Sequence, residues 1–109
     1  MDPEECFAGV VAALRDRPGV APSDPTRRAF GADALTVHGS IFAMLRDAAL
    51  VVKLPAPRVS ALIAAGDGAP FGAGRGRPMK EWVAVPAVDP ERWLALAEEA
   101  WAFVGPRQE

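Results

Sequence analysis

The residue types that do chemistry are scarce in this chain. Metal binding needs a cluster of imidazole, thiolate or carboxylate ligands, whereas the 109 residues contain one histidine, His38, and one cysteine, Cys6. A serine hydrolase needs a base beside its serine. His38 alone would have to serve Ser23, Ser40 or Ser60, and no Ser-His-Asp order can be defended. His38 falls between two apolar runs, at the tip of an expected hairpin, where a lone imidazole reads as a solvated turn residue. Cys6 borders the apolar stripe of an expected helix and reads as a small core residue, because a nucleophilic thiol needs a lowered pKa. No catalytic residue, metal ligand or cofactor-binding residue is assigned, and the chain reads as a non-enzyme.

Charge is more informative. Gly66 to Lys80 reads GDGAPFGAGRGRPMK, a glycine-rich basic loop with Phe71 as its one apolar anchor. It lacks the Gly-Lys-Ser/Thr of a phosphate-binding loop, and no strand-to-helix turn follows, so it matches neither nucleotide pattern. Exposed basic clusters do contact anions and nucleic acids. The candidates for such contact are Arg75, Arg77 and Lys80, with Lys53 and Arg58, and further off Arg27 and Arg28. The net charge of −2 conceals an asymmetry. Pro25 to Val85 holds eight Lys or Arg against four acids, while the two ends hold four basic and ten acidic residues. A pI near 5.4 nevertheless lacks the overall basic excess usual in phosphate-binding domains.

Three helices and a run of strands must position these groups. Asp2 caps the first helix, Pro3 suits its first position, and Glu4 and Glu5 complement the dipole. Phe7, Val10, Val11 and Leu14 form its buried stripe, and Pro18-Gly19 ends it. A proline-rich connector is expected from Val20 to Arg28. Leu35 to Val37, Ile41 to Leu45 and Leu50 to Leu54 are short apolar runs, and the residues between them suit two tight hairpins. Alternation puts Ile41, Ala43 and Leu45 on one face and Phe42 and Met44 on the other, so this strand is expected at the centre of the sheet.

Pro55 and Pro57 open a short helix carrying Val59, Leu62 and Ile63, which Gly66 closes. Glu81 to Val85 reads as a further strand. Asp89-Pro90-Glu91 then starts a last helix whose stripe is Trp93, Ala97, Ala100, Trp101 and Val104, ended by Gly105-Pro106. Trp93 and Trp101 are expected in the core, whereas Trp82 could border a groove. The expectation is one α+β domain over 1-109, with a core of about 3-104. Its order is α-β-β-β-α-β(-β)-α, an antiparallel sheet of four to five strands covered by helices.

Half of the residues are hydrophobic and a quarter charged, as in an ordinary folded domain. The single cysteine suits a reducing compartment. The acidic N-terminus is unlike a secretory signal and no apolar run would span a bilayer, so a cytoplasmic location without membrane contact is expected.

Several pieces occur together in order across about three-quarters of the chain: Phe30-Gly31, Gly39 with Ile41-Phe42-Ala43, Val52-Lys53-Leu54, Gly66 with Pro70-Phe71, and Met79 to Trp82. In this the chain resembles the N-terminal domain of TfoX-like proteins, named for a bacterial competence regulator. Met79-Lys80-x-Trp82 is also similar to the MmcQ/YjbR group, often labelled DNA-binding. The resemblance implies an α+β fold related in shape to secretion-chaperone domains, and it implies no reaction. The competence regulator has a second, helical domain that these 109 residues do not include, so its role in competence is not carried over. Two functional expectations follow: a protein-interaction or regulatory module, with an unknown protein partner or self-association, or a weak nucleic-acid-binding module using the basic loop.

Overall fold

The computed structural model describes residues 2–22, 34–38, 40–46, 48–72 and 78–105. Its elements are α1 (Pro3–Leu14), β1 (Val20–Pro22), β2 (Ala34–Val37), β3 (Ser40–Arg46), β4 (Ala49–Lys53), α2 (Ala56–Ala64), β5 (Ala69–Gly72), β6 (Pro78–Val85) and α3 (Pro90–Val104). The strands form one antiparallel sheet in the order β1-β2-β3-β4-β6-β5. The α+β class and the expected α-β-β-β-α-β-β-α order hold. One strand is added: Val20–Pro22, expected as connector, pairs with β2 along one edge. The other edge, β5, contains Pro70. Proline cannot donate to a ladder, so Pro22 and Pro70 suit edge strands and make each edge a poorer template for a further strand.

The helix ends follow their sequence signals. Asp2 Oδ1 accepts from the Glu5 amide at 2.8 Å, and Asp89 Oδ1 accepts from Glu91 and Arg92 at 3.1 and 3.3 Å. After α2, Asp67 N–H donates to the Leu62 carbonyl at 2.9 Å and Gly66 N–H to Ile63 at 3.1 Å, with Gly66 at φ +82°. This Schellman closure needs the left-handed residue that glycine supplies without strain. Gly19 is constrained twice. It has φ +78°, and a Cβ placed on it would lie 2.5 Å from His38 Cε1, so the imidazole lies against its bare backbone.

All three helices lie on one face of the sheet. There Cys6, Phe7, Val10 and Leu14 of α1, Val59 and Leu62 of α2, and Trp93, Leu96, Ala97, Ala100 and Val104 of α3 close over Leu35, Ala43, Leu50, Val52, Val83 and Val85. Trp93 is fully buried and its indole N–H donates to the Ala87 carbonyl at 2.8 Å. Trp101 meets the expectation in part. It is half-buried and packs against the core from its border, donates to the Pro18 carbonyl at 3.2 Å and lies with its ring centre 5.4 Å from the Arg17 guanidinium, at the end of α1.

Strand β3 also departs from simple alternation. Its register with β2 shifts between Leu35, opposite Ala43, and Thr36, opposite Ile41, leaving Phe42 as the extra residue of a bulge. Phe42 and Ala43 therefore both join the helix-side core, Met44 alone packs on the other face, and Ile41 is left 41% exposed.

Candidate interaction face

The face of the sheet on which no described helix lies, the helix-free face, is built from the strand positions that alternate with the core. Ala34 opposes Met44, Met44 opposes Val51, Val51 opposes Ala84, and Ala84 opposes Ala69, one row of small and medium side chains across five strands. Its centre is closed, with Ala34, Met44 and Val51 between 0 and 9% exposed. One step toward the His38 end of the sheet lies a second row. Thr36 opposes Ile41, Lys53 opposes Trp82, and the Trp82 indole meets the Phe71 ring at 6.4 Å between centroids, tilted by 53°. Ile41 is exposed, and Thr36, Lys53, Trp82 and Phe71 are half-buried. Lys53 Nζ stands 6.0 Å from the centre of the Trp82 ring, within reach of its negative face.

The five residues singled out for anion contact have separate fates. Lys53 belongs to this row. Arg58, in the first turn of α2, lies on the helix side and is already engaged: its Nε and Nη2 donate to the two carboxylate oxygens of Glu99 on α3 at 2.9 and 3.0 Å. That bidentate bond holds the guanidinium proton more firmly than usual. The structure thus does not bring Arg58 together with Lys53. Lys80 lies within β6, two residues before Trp82. Arg75 and Arg77, with Arg27 and Arg28, lie outside the described residues. Of the stretch expected as a loop from Gly66 to Lys80, Ala69–Gly72 and the start of Pro78–Val85 are paired strands, and its glycine-arginine part, residues 73–77, lies outside the described residues.

No family model, curated protein or solved structure matches this chain.

The chemical residues are placed as follows. Cys6 is 2% exposed, and burial, reinforced by the charge of Asp89, pushes its thiol above the usual range, the opposite of what a nucleophile needs. His38 is exposed at its turn with φ +51°, and its amide donates to the Gly19 carbonyl at 2.9 Å, so it serves the junction of β1 with the β2–β3 hairpin. Among the described residues no three His, Cys, Asp or Glu side chains are grouped for a metal. No described helix is long and apolar enough to cross a membrane.

Charge divides the two sides. Helices and their flanking turns carry nine described acids (Asp2, Glu4, Glu5, Asp16, Asp67, Asp89, Glu91, Glu98 and Glu99) against Arg15, Arg17, Arg58 and Arg92. Three of those arginines are paired within the layer: Arg17 with Glu98, Arg58 with Glu99, and Arg92 with Asp67 at 3.6 Å. On the helix-free side the described strand positions include Arg46, Lys53 and position 80 of β6, a lysine, and no carboxylate. Sequence reasoning had pointed to Lys53 and Trp82; it missed Ile41 and Thr36, because the bulge that turns Ile41 outward leaves no mark in a run of apolar residues.

Proposed function

We propose that this chain is a non-enzymatic interaction module of the TfoX N-terminal type, working in the cytoplasm and engaging a partner through the helix-free face of its sheet. The row of Thr36, Ile41, Lys53, Trp82 and Phe71 carries this reading. It offers partly exposed aromatic and aliphatic groups with a single cation, the composition that distinguishes the centres of protein interfaces. The prolines in both edge strands favour contact across the face over addition of a strand.

A photo-crosslinking residue in place of Ile41, compared with one in place of exposed Ala95 on α3, tests this in the native host. A discrete adduct from position 41 and none from position 95 is expected. Equal adducts, or none from position 41, would remove the reading.

A second reading, weak nucleic-acid binding, is favoured by the position of Lys53 beside an aromatic pair and by Lys80 in the same β6 strand. Aromatic groups flanked by cations are how single strands are held without sequence preference. Titration with single-stranded and duplex DNA at low and moderate salt tests it, with Arg75→Ala/Arg77→Ala as the variant. Salt-sensitive binding lost in the variant would favour it over the first reading; no binding at low salt would end it.

A further inference from the structure

We propose that α2 is a salt-responsive cover over the β6 side of the core, held shut by two ion pairs to α3 and able to open as a unit while the rest of the fold stays intact. This device goes beyond the interaction reading and does not depend on the helix-free face. The three helices are unequally secured. α1 buries four side chains and α3 five, each begins at an aspartate that caps it, and the two pack on each other. α2 is nine residues long, buries Val59 and Leu62, has no side-chain cap, and lies over β6 and β5. A helix that short is not stable alone, and an element with few buried groups opens before the rest. Its ends are marked off from the chain. Pro55 is extended at φ −56° and ψ 145°, and Gly66 is left-handed at φ +82°, so unfolding of α2 need not draw β4 or β5 with it.

The charges at those ends identify what keeps the cover shut. Arg58 stands in the first turn of α2 and Asp67 follows its last. A helix dipole favours acids at the N-terminus and cations at the C-terminus; α2 has no acid in its first turn and no cation in its last, and both of these charges oppose its dipole. Their compensation lies on α3. Arg58 donates to Glu99 at 2.9 and 3.0 Å, and Asp67 faces Arg92 at 3.6 Å. Arg92 and Glu99 are seven residues apart in α3, about two turns, and so share one face. α2 is thus clasped at both ends, by charges of opposite sign. The paired side chains are about two-fifths exposed, so salt screens them. Once they are screened, Arg58 and Asp67 are left at the wrong ends of a short helix. Opening then bares Val83, which lies beside Leu62 at Gly68.

Amide hydrogen exchange of the isotope-labelled protein tests this, with Ser60 to Ala65 reporting α2 and Trp93 to Ala100 reporting α3. At low salt α2 is expected to exchange at least about tenfold faster than α3. Raising salt from about 0.05 M to about 0.5 M should speed α2 a further threefold or so, roughly, and α3 by less than about twofold. Two double variants separate the clasp from the helix itself. Arg92→Gln/Glu99→Gln leaves the opposing charges of α2 uncompensated and should speed its exchange by about threefold or more, although neither substitution lies in α2. Arg58→Gln/Asp67→Asn removes those charges together with their pairs and should loosen α2 less. In both, the response of α2 to salt should be lost.

Equal protection of α2 and α3 would overturn the proposal, as would an equal response of all three helices to salt. So would greater loosening of α2 by its own double variant than by the one on α3, because the charges would then stabilise the helix locally rather than clasp it.

Discussion

On the helix-covered side of the sheet, Leu35, Ala43, Leu50, Val52, Val83 and Val85 are all fully buried, while on the other side the row from Thr36 to Phe71 stays half-exposed. The same strands supply both sets, separated only by the alternation of side chains and by one bulge at Phe42. Burial of the first set under three helices removes apolar surface from water and specifies the fold. The second set contributes less to stability and keeps chemistry available at the surface. The most direct way to test this division is to damage the two sides with like-for-like substitutions. Trp93→Ala, in the helix-side core, should cost about 3–5 kcal/mol, most of the margin of a small domain. Trp82→Ala, half-buried on the other side, should cost less than about 2 kcal/mol. Denaturant midpoints of the two variants check this, and equal losses would break the comparison.

The next effect lies where the helical layer passes the chain into the sheet. Gly19→Ala forces a left-handed backbone on a residue with a Cβ, about 1–2 kcal/mol, and also drives that Cβ into the His38 ring. The total should exceed the backbone term alone. Adding His38→Ala should recover the steric part and leave the backbone part, a coupling that thermal denaturation of the single and double variants can measure.

Most of the helix layer was legible in the sequence, because its signals are local: Asp2-Pro3 and Asp89-Pro90 place two N-termini, and Gly66 ends α2. The two hairpins were legible too, from apolar runs separated by turn residues. What was not legible depends on pairing between distant segments. The edge strand Val20–Pro22 exists only because β2 offers it a partner, and nothing in its three residues marks it. The exposure of Ile41 follows from the shift between Leu35 and Thr36, a property of two strands together. Arg58 read as a free cation because Glu99 lies 41 residues away in sequence. Trp101 fell on the predicted stripe of α3 but near its end, where the helix overhangs Pro18. The candidate face was therefore half visible: Lys53 and Trp82 could be named, but not their neighbours.

A smaller effect concerns pH and the helix side alone. The Cys6 thiol is raised by burial and by Asp89, so the native state keeps its proton at pH values where the unfolded chain has released it. Stability from this group is fully present below the unfolded thiol pKa, about 8.5, and is lost as pH rises toward the folded value. The slope cannot exceed about 1.4 kcal/mol per pH unit, the limit for one proton. Cys6→Ala should flatten that alkaline slope, measured as denaturant midpoints between about pH 8 and 10. An unchanged slope would show that another group titrates there.

Smaller still is the Arg58–Glu99 pair, which ties α2 to α3 across the outside of the helix layer with side chains about two-fifths exposed. Exposed pairs contribute little even when bidentate, so a double-mutant cycle of Arg58→Ala and Glu99→Ala should give a coupling of about 0.2–1 kcal/mol that shrinks in salt. A coupling well above that range would mean that the helix layer depends on its ion pairs as well as its core.

The least effect on stability is expected where the functional consequence is greatest. Ile41 is 41% exposed and follows the bulge, so its side chain contributes little to either apolar cluster. Replacing it with aspartate should change the unfolding free energy by no more than about 0.5 kcal/mol, as for surface substitutions away from special features. The same change sets a carboxylate into the row of Thr36, Lys53, Trp82 and Phe71, where it places a charge amid apolar contact groups and gives Lys53 a competing counter-charge. The melting temperature should therefore barely move while binding through this face is lost. The opposite result, a folded state weakened by 2 kcal/mol or more, roughly the cost of burying an unpaired charge, would mean that Ile41 is covered in the working protein and that the division between the two faces lies elsewhere.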